Sequence, residues 1–163
     1  PNKFPSAIEA LSSRIAKSHN LPSINPVVDL VNAISLTYSV PMGAHDLEPL
    51  VGGIYVCPAG SGALFQPMGQ EAKEEVPPDE IVYADDIDVR TRRWIWRQSE
   101  RGKVTGDSRN IFFPIDGFKD HNQTDVLAAR DHLARLLQEI FSARVITGFV
   151  DDENPVFAWQ LPG

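Results

Sequence analysis

Residues 90–110 read RTRRWIWRQSERGKVTGDSRN, and the fold turns on how this stretch is taken. Between Arg90 and Lys103 six basic residues stand against one acidic residue, Glu100, with Trp94 and Trp96 at alternate positions. The acidic residues Asp85, Asp86 and Asp88 come directly before it. Alternation with period two predicts a strand over residues 92–98 whose two faces differ, followed by a loop. Composition leaves two readings open: a half-buried strand with a solvated basic face, or the wall of a functional site.

The charge of the remainder bears on that choice. The chain carries 15 basic and 22 acidic residues, a net charge of −7. Without residues 90–103 the balance falls to −12, so the body would repel phosphate everywhere except at this one stretch. Such a distribution excludes a surface that embraces nucleic acid broadly, and suits brief contact with a nucleic-acid end. A length of 163 residues and 42% hydrophobic content fit one domain, residues 1–163. No apolar run approaches the roughly 18 residues of a membrane span, and no membrane partner is expected. The chain starts at Pro1 with no basic–apolar leader, so secretion is not expected, and a preceding segment is expected to be missing. A single cysteine, Cys57, excludes an internal disulfide and fits a reducing, cytoplasmic setting. Its apolar surroundings favour packing over catalysis.

Around the central stretch the elements are legible from spacing. Ser6 and Glu9 have capping-box spacing ahead of Ile8, Leu11 and Ile15, which predicts a helix ended by His19 and Asn20, with an extended exit at Pro22. Asn25-Pro26 opens a second helix with Val27, Val28, Val31, Ala33 and Ile34 as buried positions, and Asn32 as a polar interruption. Pro41, Gly43 and Pro49 mark a turn-rich loop carrying His45 beside Asp46, where the histidine is either structural or catalytic. Short strands follow in GIYVCPA, ALFQPM and EIVYADD, with a turn at Gly60-Ser61-Gly62. NIFFPIDGF reads as a further strand in which Pro114 requires an edge or a bulge. A helix begins near Asn122 or Thr124, its apolar stripe running from Val126 through Leu133 to Ile140. ARVITGFV and NPVFAWQL read as two closing strands joined by the acidic turn DDEN. Helices flanking a mainly antiparallel sheet give an α+β class.

Several chemistries lack their signatures. There is no phosphate-cradling glycine loop, nucleophile elbow, HExxH or CxxC motif, and His19, His45, His121 and His132 show no ligand spacing. No cofactor and no metal are expected.

Four stretches together resemble a known family. PSINPVVDLVNAISLTYSVPMGAHDLEPLVGGIYV, EIVYADD and SRNIFFPIDGF are similar to the B3/B4 editing module of the phenylalanyl-tRNA synthetase β subunit, and RRWIWRQSERGKVT resembles freestanding B3/B4 proteins. The resemblance covers most of residues 22–118. It implies trans-editing: hydrolysis of an amino acid wrongly esterified to the terminal ribose of a tRNA, with canavanyl-tRNA(Arg) as the substrate among freestanding members and no DNA partner. Glu100 falls where the synthetase module has a substrate- and water-binding glutamate, which implies a catalytic role. Gly43 stands where the module has a histidine, with His45 two residues on, a second catalytic candidate. Asp116 falls on the gate position, where a carboxylate suits a cationic or strongly hydrogen-bonding side chain. Arg97 and Gln98 are candidates to face the oxygen of canavanine, and backbone N–H groups near Gly43 and Gly117 to hold an oxyanion. Arg92, Arg93, Arg101 and Lys103 would meet the tRNA. A non-catalytic tRNA-binding module and an amino-acid-binding domain remain as alternatives.

Overall fold

The computed structural model describes residues 3–20 and 23–161, so the extended exit expected at Pro22 lies outside the described residues. Among the described residues the architecture is α+β, with three helices and antiparallel strand pairs. Helix α1 spans Ala7–Ser18 and begins with the expected capping box, Ser6 accepting from Glu9 N–H and Glu9 reaching back to Ser6 N–H. Helix α2, Pro26–Tyr38, starts where Asn25 accepts from Val28 N–H and proline occupies the first turn. Helix α3 spans Gln123–Phe141. Val31, Ile34, Val40 and Met42 pack with Ala129, Leu133 and Leu137 of α3 into the first core cluster. Ala33, expected inside, is exposed, and so is Ile140 at the end of the α3 stripe. Ala33 lies one step round the helix from the buried face, whereas Ile140 is on the same face as Leu133 but falls in the last turn of α3.

The strands are short because prolines, glycines and charges interrupt them. They are β1 (His45–Asp46), β2 (Tyr55–Pro58), β3 (Leu64–Phe65), β4 (Glu74–Glu75), β5 (Ile81–Ala84), β6 (Val89–Arg92), β7 (Arg97–Gln98) and β8 (Ile111–Phe112). The main sheet has the order β2-β5-β6-β7, while β1 pairs β8 and β3 pairs β4. The turn at Gly60 and Gly62 forms with positive φ at both glycines, but it joins β2 to β3, which belong to different sheets. Phe65, Val76, Val82 and Val89 make the second core cluster, joining the main sheet to the β3–β4 pair. Met42 bridges to Ile115 beyond β8, so the NIFFPIDGF strand continues past Pro114 as an isolated bridge.

Two expectations fail. Residues 92–98 are not one strand. β6 ends at Arg92, a tight turn occupies residues 93–96, and β7 returns to pair Thr91 with Gln98 and Arg92 with Arg97. The turn rests on Arg93 (φ 48°) and Trp94 (φ 61°), two consecutive non-glycine residues in the left-handed region. Trp94 N–H finds the Ile81 carbonyl at 2.7 Å and Trp96 N–H the Arg92 carbonyl at 3.1 Å, while Ile95 C=O accepts from Ala7 N–H at 3.0 Å. Those bonds anchor the turn to β5 and to the start of α1. The closing strands do not form either. Residues 143–161 hold no strand ladder; Asp151 and Asn154 close the acidic turn, but the apolar runs on either side do not pair as strands.

Candidate functional site

A cleft of about 80 Å³ opens where five pieces of chain meet: the start of α1 at Ala7, the 41–45 loop, β5, the β6–β7 hairpin and residues 114–116. Its apolar wall is Pro41, Met42, Ile95 and Pro114, and its polar lining is His45, Tyr83, Thr91, Gln98 and Asp116. Neither lysine nor arginine lines it.

Asp116 is held from two sides. Its Oδ1 accepts from Tyr83 Oη at 2.6 Å and from Trp94 Nε1 at 2.9 Å. The hairpin turn explains the second bond, because the left-handed Trp94 swings its indole across to residue 116 instead of along the strand face. Burial pushes the Asp116 carboxyl above its ordinary range, against the two donors that favour its charge. Tyr83 is pushed up in turn, chiefly by burial and then by the Asp116 charge, so its hydroxyl stays protonated and donates. Asp116 Oδ2 has no hydrogen-bond partner among the described residues.

His45 is 2% exposed on β1, with its ring tilted toward Tyr83 on one side and Phe112 on the other. Burial, with the Arg90 guanidinium adding to it, holds its pKa down at about 3, so the imidazole is neutral at physiological pH. Its Nδ1 is buried with no hydrogen-bond partner. Gln98 spends its amide nitrogen on the Ala44 carbonyl at 2.6 Å and the Gly102 carbonyl at 3.4 Å, which leaves its oxygen without a partner among the described residues. Gly43 lines the same cleft, but its N–H is spent on the Pro114 carbonyl at 3.0 Å.

The expected site residues therefore divide. His45, Gly43, Gln98 and Asp116 converge on one cleft. Glu100 is not part of its lining. Its carboxylate accepts from Gly69 N–H at 3.0 Å and from Lys103 Nζ at 2.6 Å, both of which hold it below the usual carboxylate range. Gly117 sits against the start of α3, where a Cβ would overlap Val126 and Asn122. Arg97 is exposed on β7, its guanidinium 4.7 Å from the Trp96 ring centroid. Tyr83, Thr91 and the Trp94 indole are cleft groups that reading the sequence missed. The partner of Tyr83 lies 33 residues away, so no local pattern marks it.

The basic stretch is not the open patch that its composition suggests. Arg90 is wholly buried, paired with Asp85 at 3.7 Å and donating to the Asp46 carbonyl at 2.9 Å. Arg92 is clamped by Glu80 at 2.7 Å and Glu74 at 2.6 Å, and Arg93 lies 3.8 Å from Glu80. Arg101 is paired with Asp85 and Asp88, and Lys103 with Glu100. The neighbouring acidic residues thus neutralise five of the six internally. Arg97 alone lacks a carboxylate partner among the described residues. Among those residues, too, no group of three or more His, Cys, Asp or Glu could hold a metal ion, and no helix is long and apolar enough to cross a membrane.

Comparison with known proteins bears on this arrangement. No curated protein matches the chain significantly. Among solved structures, it is similar to an N-terminal fragment of the phenylalanyl-tRNA synthetase β-subunit from Pyrococcus horikoshii, with 20% identity and a TM-score of 0.56. The match covers 69% of this chain and 39% of that one, and at such identity it is the fold that is shared. The B3/4 domain family matches residues 1–142, which take in the three helices and every strand of the described residues, and the whole cleft. The chain belongs to the B3/4 domain family.

Proposed function

We propose that the cleft receives the aminoacyl group at the end of a mischarged tRNA, and that the chain is a deacylase hydrolysing that ester in trans. The observation that carries this reading is the polarity of the cleft. The lining groups left without a partner are acceptors or can act as such: Asp116 Oδ2, the Gln98 amide oxygen, the Thr91 hydroxyl and the neutral His45 ring. With no cation of its own, the cleft complements a ligand rich in donors, such as an α-ammonium or a guanidino group. One charge-assisted bond to a carboxylate contributes about 1.5–3 kcal/mol. Canavanyl-tRNA(Arg) is the first candidate. Its extra oxygen needs a donor, and the Thr91 hydroxyl or a His45 ring N–H can supply one.

Hydrolysis adds water to the ester carbonyl; the tetrahedral intermediate then expels the ribose oxygen, which takes up a proton. A histidine with a pKa near 3 is a weak base and is not an acid at neutral pH, so His45 positions rather than transfers protons. The N–H of Gly43 is already committed, and Glu100 is committed to Lys103 and Gly69. Proton transfer then falls to water and to the vicinal ribose hydroxyl of the substrate. Likeness of fold to a protein that charges tRNA supports the reading.

A second reading, binding of a free cationic amino acid, is favoured by the internal pairing of the arginines. Incubating the purified protein with a panel of tRNAs charged with canavanine, arginine, lysine, tyrosine and phenylalanine separates the two. Selective ester loss supports the deacylase. Intact esters, together with calorimetric binding of the free amino acid, support the second reading and overturn the first.

A further inference from the structure

We infer that the outer face of the β6–β7 turn is a nucleobase-stacking platform for single-stranded RNA. The inference rests on the proposed function only in expecting a tRNA end at the neighbouring cleft. Trp96 stands among guanidinium groups: Arg97 lies 4.7 Å from its ring centroid, Arg92 5.8 Å and Arg93 5.9 Å. Phe4, just before α1, meets Trp96 edge-on at 4.8 Å and carries the Arg93 guanidinium over its own face at 3.6 Å. Flat cations and rings therefore alternate across one surface.

Charge selects the partner. Glu80 and Glu74 answer Arg92, and Glu80 answers Arg93, whereas Arg97 is exposed and faces Arg92 across the hairpin with no carboxylate of its own. In a chain of net charge −7, an unanswered guanidinium on an aromatic face is complementary to a ligand that is both anionic and planar. A nucleotide meets both requirements; an acidic peptide meets only the first. Stacking on rings and guanidinium planes, with a nearby cation for the phosphate, is how single strands are held without base-pair readout. Position agrees, because Trp96 and Ile95 also line the cleft. A base stacked outside would leave the adjoining terminal nucleotide at the cleft mouth.

The test uses the full chain with uncharged oligonucleotides, so that it does not depend on hydrolysis. Binding of a short single-stranded RNA ending in CCA is measured by fluorescence anisotropy beside an abasic strand of equal length and charge, the same sequence as a duplex, and a poly-glutamate peptide. The expected result is that the base-containing single strand binds about tenfold tighter than the abasic strand. Arg97→Gln and Trp96→Leu should each remove most of that difference, while circular dichroism and thermal midpoint show both variants folded. Equal binding of abasic and base-containing strands, preferential binding of the peptide or the duplex, or full base preference in both variants would overturn the inference. Base-dependent binding in a protein that deacylates nothing would instead sink the deacylase and leave the platform standing.

Discussion

Acidification from pH 7 to pH 5 is expected to cost the fold about 2 kcal/mol through His45 alone. The ring is 2% exposed, and burial reinforced by Arg90 holds its pKa at about 3 against an ordinary 6.5. In the unfolded chain the imidazole takes up its proton below pH 6.5; in the folded chain it does so only near pH 3. The stability it confers is therefore complete above pH 6.5 and is lost as pH falls toward 3. Each pH unit inside that window costs about 1.4 kcal/mol, and the gradual onset around 6.5 brings the step from 7 to 5 to about 2 kcal/mol. The assay is urea denaturation of the wild type and His45→Gln at pH 7, 6 and 5. Asp116 works in the opposite sense, since its raised carboxyl favours the folded state as pH falls, but both proteins contain it. The wild type should lose about 2 kcal/mol more than the variant across the range. Parallel pH profiles would refute the neutral, buried imidazole, and with it the argument that His45 positions rather than transfers protons.

Asp116→Asn keeps the size and one acceptor for Tyr83 and Trp94 but removes the charge. It should lower kcat/KM toward a cationic aminoacyl ester about 10- to 150-fold, and steady-state deacylation within twofold of wild type would count against the cleft. Glu100→Gln alters a solvated group outside the cleft lining and should leave the same rate within about twofold; a much larger loss would return Glu100 to the reaction. Gly102→Ala would place a Cβ on the Arg90 guanidinium at a backbone φ of +93°. Arg90 is wholly buried and has nowhere to retreat, so denaturation should show a loss of about 3–5 kcal/mol, and a loss under about 1 kcal/mol would refute that packing.

The helices were legible because their signals are local. Ser6 with Glu9, Asn25 with Pro26, and the stripe from Val126 to Leu137 each specify an element within one or two turns of chain. The hairpin was not legible, because consecutive left-handed residues in a turn usually announce themselves with glycine or asparagine, and here they are Arg93 and Trp94 at the start of the four-residue turn 93–96. Alternating tryptophans look the same in a strand and in a turn followed by a strand. The closing runs failed for the reverse reason: ARVITGFV and NPVFAWQL are rich in β-branched and aromatic residues, but a strand-like composition does not supply a partner edge. Of the site, His45, Gln98 and Asp116 lie in three of the stretches that resemble one family and meet at the cleft; Tyr83 lies in a fourth, EIVYADD, but nothing in that run singles it out for a role, and Thr91 falls outside all four. The basic patch was misjudged because counting charge along the chain cannot see that Asp85, Glu74 and Glu80 fold back onto it.

The turn at Arg93 and Trp94 also acts as a caliper. One backbone kink sends the Trp94 indole inward to Asp116 and the Arg93 guanidinium outward over Phe4. Its three amide bonds to Ile81, Arg92 and Ala7 remove the slack a longer loop would have. The inner and outer surfaces are therefore jaws set at a fixed gauge, and selection can act on the length of whatever must touch both, independently of its chemistry.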